Sequence, residues 1–255
     1  MKLSYESFSA TGKVRKNNED HLHLDEANGV FAVADGMGGG AEGERASAMV
    51  CDALGAAARV GHAGRVTLPE KAFSEHVDAV GAAIAKANQE ILEYARKHGF
   101  KQMGSTIALL MFEGGESNRA AICHIGDSRV YRVRGGVAEL LTRDHTVGAE
   151  LEKALGEETA RGGTRALPTG GFAKRSNPLA HLLTRAIGTE MIVKCEWRKI
   201  DVEIGDTYLI CSDGVHDVIE TDELAGLLTV EQLSAKVLER GAPDNYSFII
   251  IRAEV

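Results

Sequence analysis

Four apolar runs in this chain begin or end at an aspartate, and any fold that gathers those strand ends must bring carboxylates together. Asp35 closes GVFAVA (29–34), and Asp127 follows AAICHI (120–125) and one glycine. Asp213 follows TYLICS (207–212), and Asp244 with Asn245 opens the run YSFIII (246–251). Short runs rich in β-branched and aliphatic residues, bounded by Gly, Ser, Asn or Asp, read as strands. One aspartate beside a strand is commonly a turn former, because its carboxylate satisfies neighbouring backbone groups. Several that converge repel one another and shift each other's pKa unless cations neutralise them. Glu19 and Asp20, in RKNNED ahead of LHLD, add to the set.

Around these runs the texture predicts further elements. Lys2 to Ala10 reads as a first strand and Glu42 to Val60 as an alanine-rich helix. A second helix, from about Glu70 to His98, carries Phe73, Val77, Val80, Ile84, Ala87, Ile91 and Ala95 on one core-facing side. IALLMF (107–112), AAICHI and RVYRVR (129–134) follow as strands, and a short helical stretch separates the last two. Between about His145 and Pro178 the chain turns charged and glycine-rich, loosest at TARGGTRALPTGGFAKRSNP, which predicts a long irregular insert. Without an internal repeat or a low-complexity linker, residues 1–255 read as one domain carrying a flap at about 145–178.

Composition narrows the function classes. With 44% hydrophobic and 26% charged residues, the chain has the make-up of a globular protein that buries a core. No apolar stretch reaches the roughly 18 residues of a spanning helix, and MKLSYESFSATGKVRKNNED lacks the apolar block of a secretory signal. A cytoplasmic protein with no membrane partner is expected. The formal net charge of −8, with no basic run, argues against nucleic-acid binding. An acidic protein that takes phosphorylated substrates needs metal ions or a few placed arginines. Cys51, Cys123, Cys195 and Cys211 form no CxxC pair, so reduced thiols are expected and zinc is not.

VADGMGGG (33–40) poses the sharpest question. Gly36-x-Gly38-x-x-Ala41 satisfies a loose dinucleotide fingerprint, with glycines that let backbone close on a phosphate. The context is wrong for it: the first helix leads into another helix, Asp52 lies mid-helix, and no GK[ST] follows the glycines. The other reading makes Asp35 a cation ligand. Oxygen-only sets suit hard ions such as Mg²⁺ or Mn²⁺, and a pair of them about 3.5–4 Å apart holds a phosphoryl group and acidifies a water. Gly36, lacking a Cβ, would leave room for metal and phosphate beside Asp35. Arg15, four residues before Glu19, reads either as a solvated surface charge or as a phosphate clamp.

GKVRKNNED, VADGMGGG with GERAS, GSTIALL, HIGDSRVYRVR, LTRDHT, LLTRAIG, LICSDGVHDVI and DNYSFIII, in this order, resemble the motifs of the PPM family. These are metal-dependent protein serine/threonine phosphatases of type 2C, and the bacterial single-domain branch is the most similar. The resemblance, which runs from about residue 4 to residue 251, implies an α+β fold. That fold is a four-layer α-β-β-α sandwich with two central antiparallel sheets flanked by helices and metals at one end. It implies that Asp35 bridges two Mn²⁺ or Mg²⁺ ions, that Gly36 supplies a carbonyl, and that Asp213 and Asp244 complete the first site. Glu19 would reach the second ion partly through water, Asp127 would serve a third, weaker ion with Asp213, and Arg15 would bind phosphate. Substrates would be phosphorylated proteins, with a cognate serine/threonine kinase as a partner and the chain a monomer. Met37 stands where many eukaryotic members carry a proton-donating histidine. His145, His181 and His216 lie closest to motifs, and His216 is the best placed of these to replace it. The basic flap residues Arg161, Arg165, Lys174 and Arg175 are expected to touch the phosphopeptide. The alternative is a catalytically inactive relative that binds phosphoproteins as a regulator.

Overall fold

The structure, a computed structural model, describes residues 1–61, 70–114, 117–160, 179 and 181–255. Strand β1 (Lys2–Ala10) opens the chain, followed by β2 (Asp20–Asp25) and β3 (Val30–Met37). Two long helices, α1 (Ala41–Gly61) and α2 (Glu70–His98), precede β4 (Gly104–Ser105), β5 (Ile107–Phe112), β6 (Arg119–Ile125), β7 (Arg129–Arg134) and β8 (Val137–Leu140). Helix α3 (Val147–Ala160) and strands β9 (Trp197–Asp201) and β10 (Thr207–Cys211) follow. The chain closes with α4 (Asp213–His216), a 3₁₀ turn (Thr221–Gly226), α5 (Val230–Glu239) and β11 (Tyr246–Glu254).

The strands make two antiparallel sheets, ordered β1-β11-β10-β7-β8 and β2-β3-β5-β6-β9, with β4 attached to β3. Strand β5 shows why the layers form. All six of its residues are buried, and their alternation sorts them: Ile107, Leu109 and Met111 face the helices, while Ala108, Leu110 and Phe112 face the other sheet. Val80, Ile84 and Ile91 of α2 press onto the first set. Ile210, Ile249 and Ile251 of the opposite sheet meet the second. The far side of that opposite sheet is covered by Val215, Leu224, Leu233 and Val237, so the four expected layers are present. The second outer layer is thin, made of α4, the 3₁₀ turn and α5 rather than two long helices.

Hairpin β7–β8 was not legible as such, yet its cause is local. Gly135 and Gly136 both take positive φ, 58° and 79°, which a two-residue turn matching the strand twist requires.

The insert departs from expectation. Its first half is helix α3, not irregular chain. Alanine, leucine, glutamate and lysine favour helix there, and Thr146 Oγ1 accepts from the Ala149 N–H at 3.3 Å as an N-cap. Thr146 bridges Leu183, the Val147 N–H donates to Leu182 O at 2.9 Å, and the Thr184 N–H donates to His145 O at 2.9 Å. The base of the insert is therefore stapled shut. Arg161, Arg165, Lys174 and Arg175 lie outside the described residues.

Candidate active site at one end of the sandwich

The strand registers gather the acids. Asp20 stands opposite Asp35 across β2 and β3, Ile107 opposite Ile125, and Cys211 opposite both Arg129 and Phe248. The ends of β3, β6 and β10 and the starts of β7 and β11 therefore share one end of the two sheets. Asp35, Asp127, Asp213 and Asp244 arrive there from separate segments.

Electrostatics records the crowding. Burial first, and then the charges of Asp20, Asp213, Asp127 and Asp244, hold the Asp35 carboxyl well above the usual carboxylate range. Asp213 is raised likewise, by burial and then by Asp127, Asp217, Asp244 and Asp20. Asp20 is only 5% exposed, and burial lifts it to about 6. Its Oδ2 accepts from Ser212 Oγ at 2.8 Å, while its Oδ1 has no hydrogen-bond partner. Such an orphaned buried oxygen is costly unless a group from outside the protein meets it.

Arg15 places its Nη2 2.6 Å from Asp244 Oδ2. Its guanidinium field also reaches Asp213 and Glu19, and this company raises its own pKa, the hydrogen bond to Asp244 first. More than half exposed, it projects from the 11–19 loop, which Asn245 holds: Asn245 Nδ2 donates to Thr11 O and Asn17 O, each at 2.9 Å. Asn245 Oδ1 accepts from the Glu19 N–H at 2.9 Å.

Glu19 points toward the glycine loop. Its Oε1 accepts from the Gly40 N–H at 2.7 Å, at the start of α1, where a carboxylate suits the helix N-terminus. Gly36 has a packing reason beside the one read in the sequence. A Cβ there would lie 2.0 Å from Gly43 O, so glycine lets the first turn of α1 dock on β3. Gly214 repeats the logic, since its Cβ would lie 2.0 Å from Asn245 O.

The GST segment, unassigned in the sequence reading, positions two of the acids. Thr106 Oγ1 accepts from the Asp35 N–H at 3.1 Å and lies 2.6 Å from Ser128 Oγ, next to Asp127. Ser105 Oγ donates to Asp35 O at 3.1 Å. Nothing in the spacing of GST marks this role, because both partners lie far along the chain.

His216 is buried, and its Nε2 lies 2.9 Å from Asp127 O, so its N–H fastens a carboxylate-bearing turn. His145 accepts from the Gly126 N–H through Nδ1 at 3.2 Å and stacks on His124 with ring centroids 4.6 Å apart. Burial, then His124 and Arg185, hold it down at about 4. His181 is half exposed, with Nδ1 3.9 Å from Asp217 Oδ2. Met37 ends β3, paired with Gly104.

Residues 12–247 match the family model described as Protein phosphatase 2C. The chain belongs to the protein phosphatase 2C family. The serine/threonine protein phosphatase PstP of Mycobacterium tuberculosis is 29% identical over 97% of this chain, which spans only 44% of that protein's length. A solved structure of PppA, a regulatory component of the T6SS in Pseudomonas aeruginosa, shares 32% identity, with a TM-score of 0.81 over 99% of this chain and 98% of that one. The PstP catalytic domain in complex with two manganese ions superposes with a TM-score of 0.77 at 29% identity, covering 99% of each chain. Its sandwich and that of this type 2C chain are alike. Among the described residues no helix is long and apolar enough to cross a membrane.

The donor set of this 2C-family chain fits a hard divalent cation. It is all oxygen, it is crowded with carboxylates, and it contains the orphaned Oδ1 of Asp20.

Proposed function

We propose that residues 1–255 act as a single catalytic domain that hydrolyses phosphoserine and phosphothreonine in proteins. The observation that carries this reading is the gathering of Asp20, Asp35, Asp127, Asp213 and Asp244, in which Asp20, Asp127 and Asp244 raise the pKa of both Asp35 and Asp213, around the exposed Arg15. Carboxylates crowded in this way repel one another, and bound cations would relieve that repulsion.

Two Mn²⁺ or Mg²⁺ ions would be held by Asp35, the Gly36 carbonyl, Asp213 and Asp244, with Glu19 acting partly through water and Asp127 serving a third, weaker ion. Bound there, the ions supply Lewis acidity to a phosphoryl group and lower the pKa of a water that attacks phosphorus. The chain's own residues do the rest. Arg15 leaves or shares Asp244 to grip two phosphate oxygens with its planar fork. Thr106 and Ser105 fix Asp35, and His216 fixes the Asp127 turn, so the carboxylates meet the ions without rearrangement. Met37 offers no proton, so the leaving alkoxide takes its proton from solvent-linked groups in the cleft. Phosphoproteins, including a cognate serine/threonine kinase and its targets, are the substrates.

Turnover of a phosphothreonine peptide and of a phenyl phosphate, measured with Mn²⁺, with Mg²⁺ and in excess chelator, tests this. Metal-dependent turnover of both supports it. Binding of the phosphopeptide without turnover under any metal would make the chain a phosphoprotein-binding regulator instead.

A further inference from the structure

Cys123 and Cys195 lie on the same side of the helix-covered sheet, among the residues that α2 covers. Cys123, in β6, is fully buried; Cys195 is half-buried, two residues ahead of β9. Cys123 pairs with Trp197 across the two strands, which makes Cys195 its diagonal neighbour on the same face, within reach of its side chain. Both thiols pack in the same cluster beneath α2, and Arg185, bonded to both chain neighbours of Cys195, stands close enough for its charge to act on both. The remaining cysteines differ. Burial pushes the Cys51 and Cys211 thiols up to about 12, whereas the neighbouring Cys123 thiol, and then Arg185, act against burial to lower Cys195.

A partly exposed thiol with a neighbouring cation and a second thiol as its diagonal neighbour has the features of an oxidant-sensing pair. We propose that Cys195 and Cys123 form a peroxide-oxidisable dithiol, Cys195 attacking and Cys123 resolving. The Cys195 thiolate sulfur attacks one peroxide oxygen, the O–O bond breaks, and the departing hydroxide takes up a proton as water. Cys195 becomes a sulfenic acid, oxidised by two electrons as the peroxide is reduced. Cys123 then loses its proton and displaces the sulfenic oxygen, which leaves as a second water while the S–S bond forms. Two thiols and one hydrogen peroxide become one disulfide and two waters.

The bond would be felt at the base of the insert. Arg185 Nη2 donates to Lys194 O at 2.8 Å and its Nη1 donates to Glu196 Oε1 at 3.1 Å, so both neighbours of Cys195 hold that arginine. The same Nη1 packs 3.1 Å from His145 Nε2, a contact and not a hydrogen bond, because His145 accepts through Nδ1 from Gly126 beside Asp127 and so carries its proton on Nε2. Drawing two sulfurs to about 2 Å moves the 194–196 segment inward and with it this linkage.

The test uses the full chain, treated with hydrogen peroxide, quenched with an alkylating agent and digested without reductant. The expected result is one Cys123–Cys195 linked peptide, reversible by dithiothreitol, with the free-thiol count falling from the 4 cysteines of the sequence by two. In Cys123→Ser, Cys195 should accumulate as a sulfenic acid that a dimedone probe captures. Cys195→Ser, at a half-buried position that tolerates a small polar side chain, should leave Cys123 alkylatable and unoxidised. No linked peptide together with no captured sulfenic acid overturns the proposal, as does oxidation of Cys51 or Cys211 at the same rate. A companion assay of phosphopeptide turnover, before and after oxidation, rests on the proposed phosphatase activity; the peptide map does not.

Discussion

Asp20 and Asp35 occupy the same rung of the β2–β3 ladder, two acids directly opposite each other at the end of an antiparallel pair. Like charges so placed destabilise a sheet, and here burial raises both carboxyls further. Cations in the proposed site would relieve this rung.

Asp35→Asn and Asp213→Asn are therefore expected to divide activity from stability. Each should lower metal-dependent turnover by more than the roughly 10–100-fold typical of losing an outer-sphere partner. Each should also raise the melting temperature of the metal-free protein by about 2–4 °C for every kcal/mol of repulsion relieved. Kinetics with saturating Mn²⁺ and calorimetry in chelator check both; wild-type turnover in either variant would place the site elsewhere.

The pH dependence of metal-free stability follows from Asp20. Its carboxyl is raised from 3.8 to about 6, so the folded chain binds the proton more tightly than the unfolded one. That contribution is full below about pH 4 and is lost as pH rises towards about 6. A shift of this size corresponds to at most roughly 3 kcal/mol. Melting curves in chelator should fall between these pH values for wild type and fall less for Asp20→Asn. Parallel curves would mean that the buried carboxyl is already compensated.

Arg15→Ala should raise KM for a phenyl phosphate while changing kcat less, because the guanidinium grips phosphate in both ground and transition states. Its pair with Asp244 is 54% and 31% exposed, so the melting temperature should scarcely move. A loss confined to kcat would make Arg15 a transition-state group.

His216 is expected to act on Asp127 and not on the leaving group. His216→Gln, which keeps a donor near the Nε2 position, should retain Mn²⁺ affinity measured by calorimetry. His216→Leu should weaken it by about 10–100-fold. If the alkaline limb of the pH–rate profile shifts in the glutamine variant while metal affinity holds, the histidine is a proton donor after all.

Gly36→Ala and Gly39→Ala separate two uses of glycine in one loop. The first would drive a Cβ to 2.0 Å from Gly43 O and should cost at least the 1–3 kcal/mol of an overpacked core. The second meets nothing within 4 Å and strains only a φ of 86°, at about 1–2 kcal/mol. Denaturant midpoints of the two variants give the comparison.

Local rules were enough for most of the elements and for the identity of the acids. Helix α2 and strand β5 follow from apolar periods of 3.6 and 2, which are properties of neighbouring residues. Strand-end aspartates are visible for the same reason, and the ordered motifs named the family before any contact was known. Helix α3 was also a local property, masked by the glycines that follow it.

What tertiary structure alone decided is which distant residues hold one another. Thr106 meets Ser128, Ser212 meets Asp20, Glu19 turns to Gly40 and His216 closes on Asp127. The close approach of Gly43 to Gly36 arises only when α1 docks on β3. Such pairings depend on sheet register and on the packing of two sheets. Both are settled by burial summed over the whole core, which no window of the sequence contains.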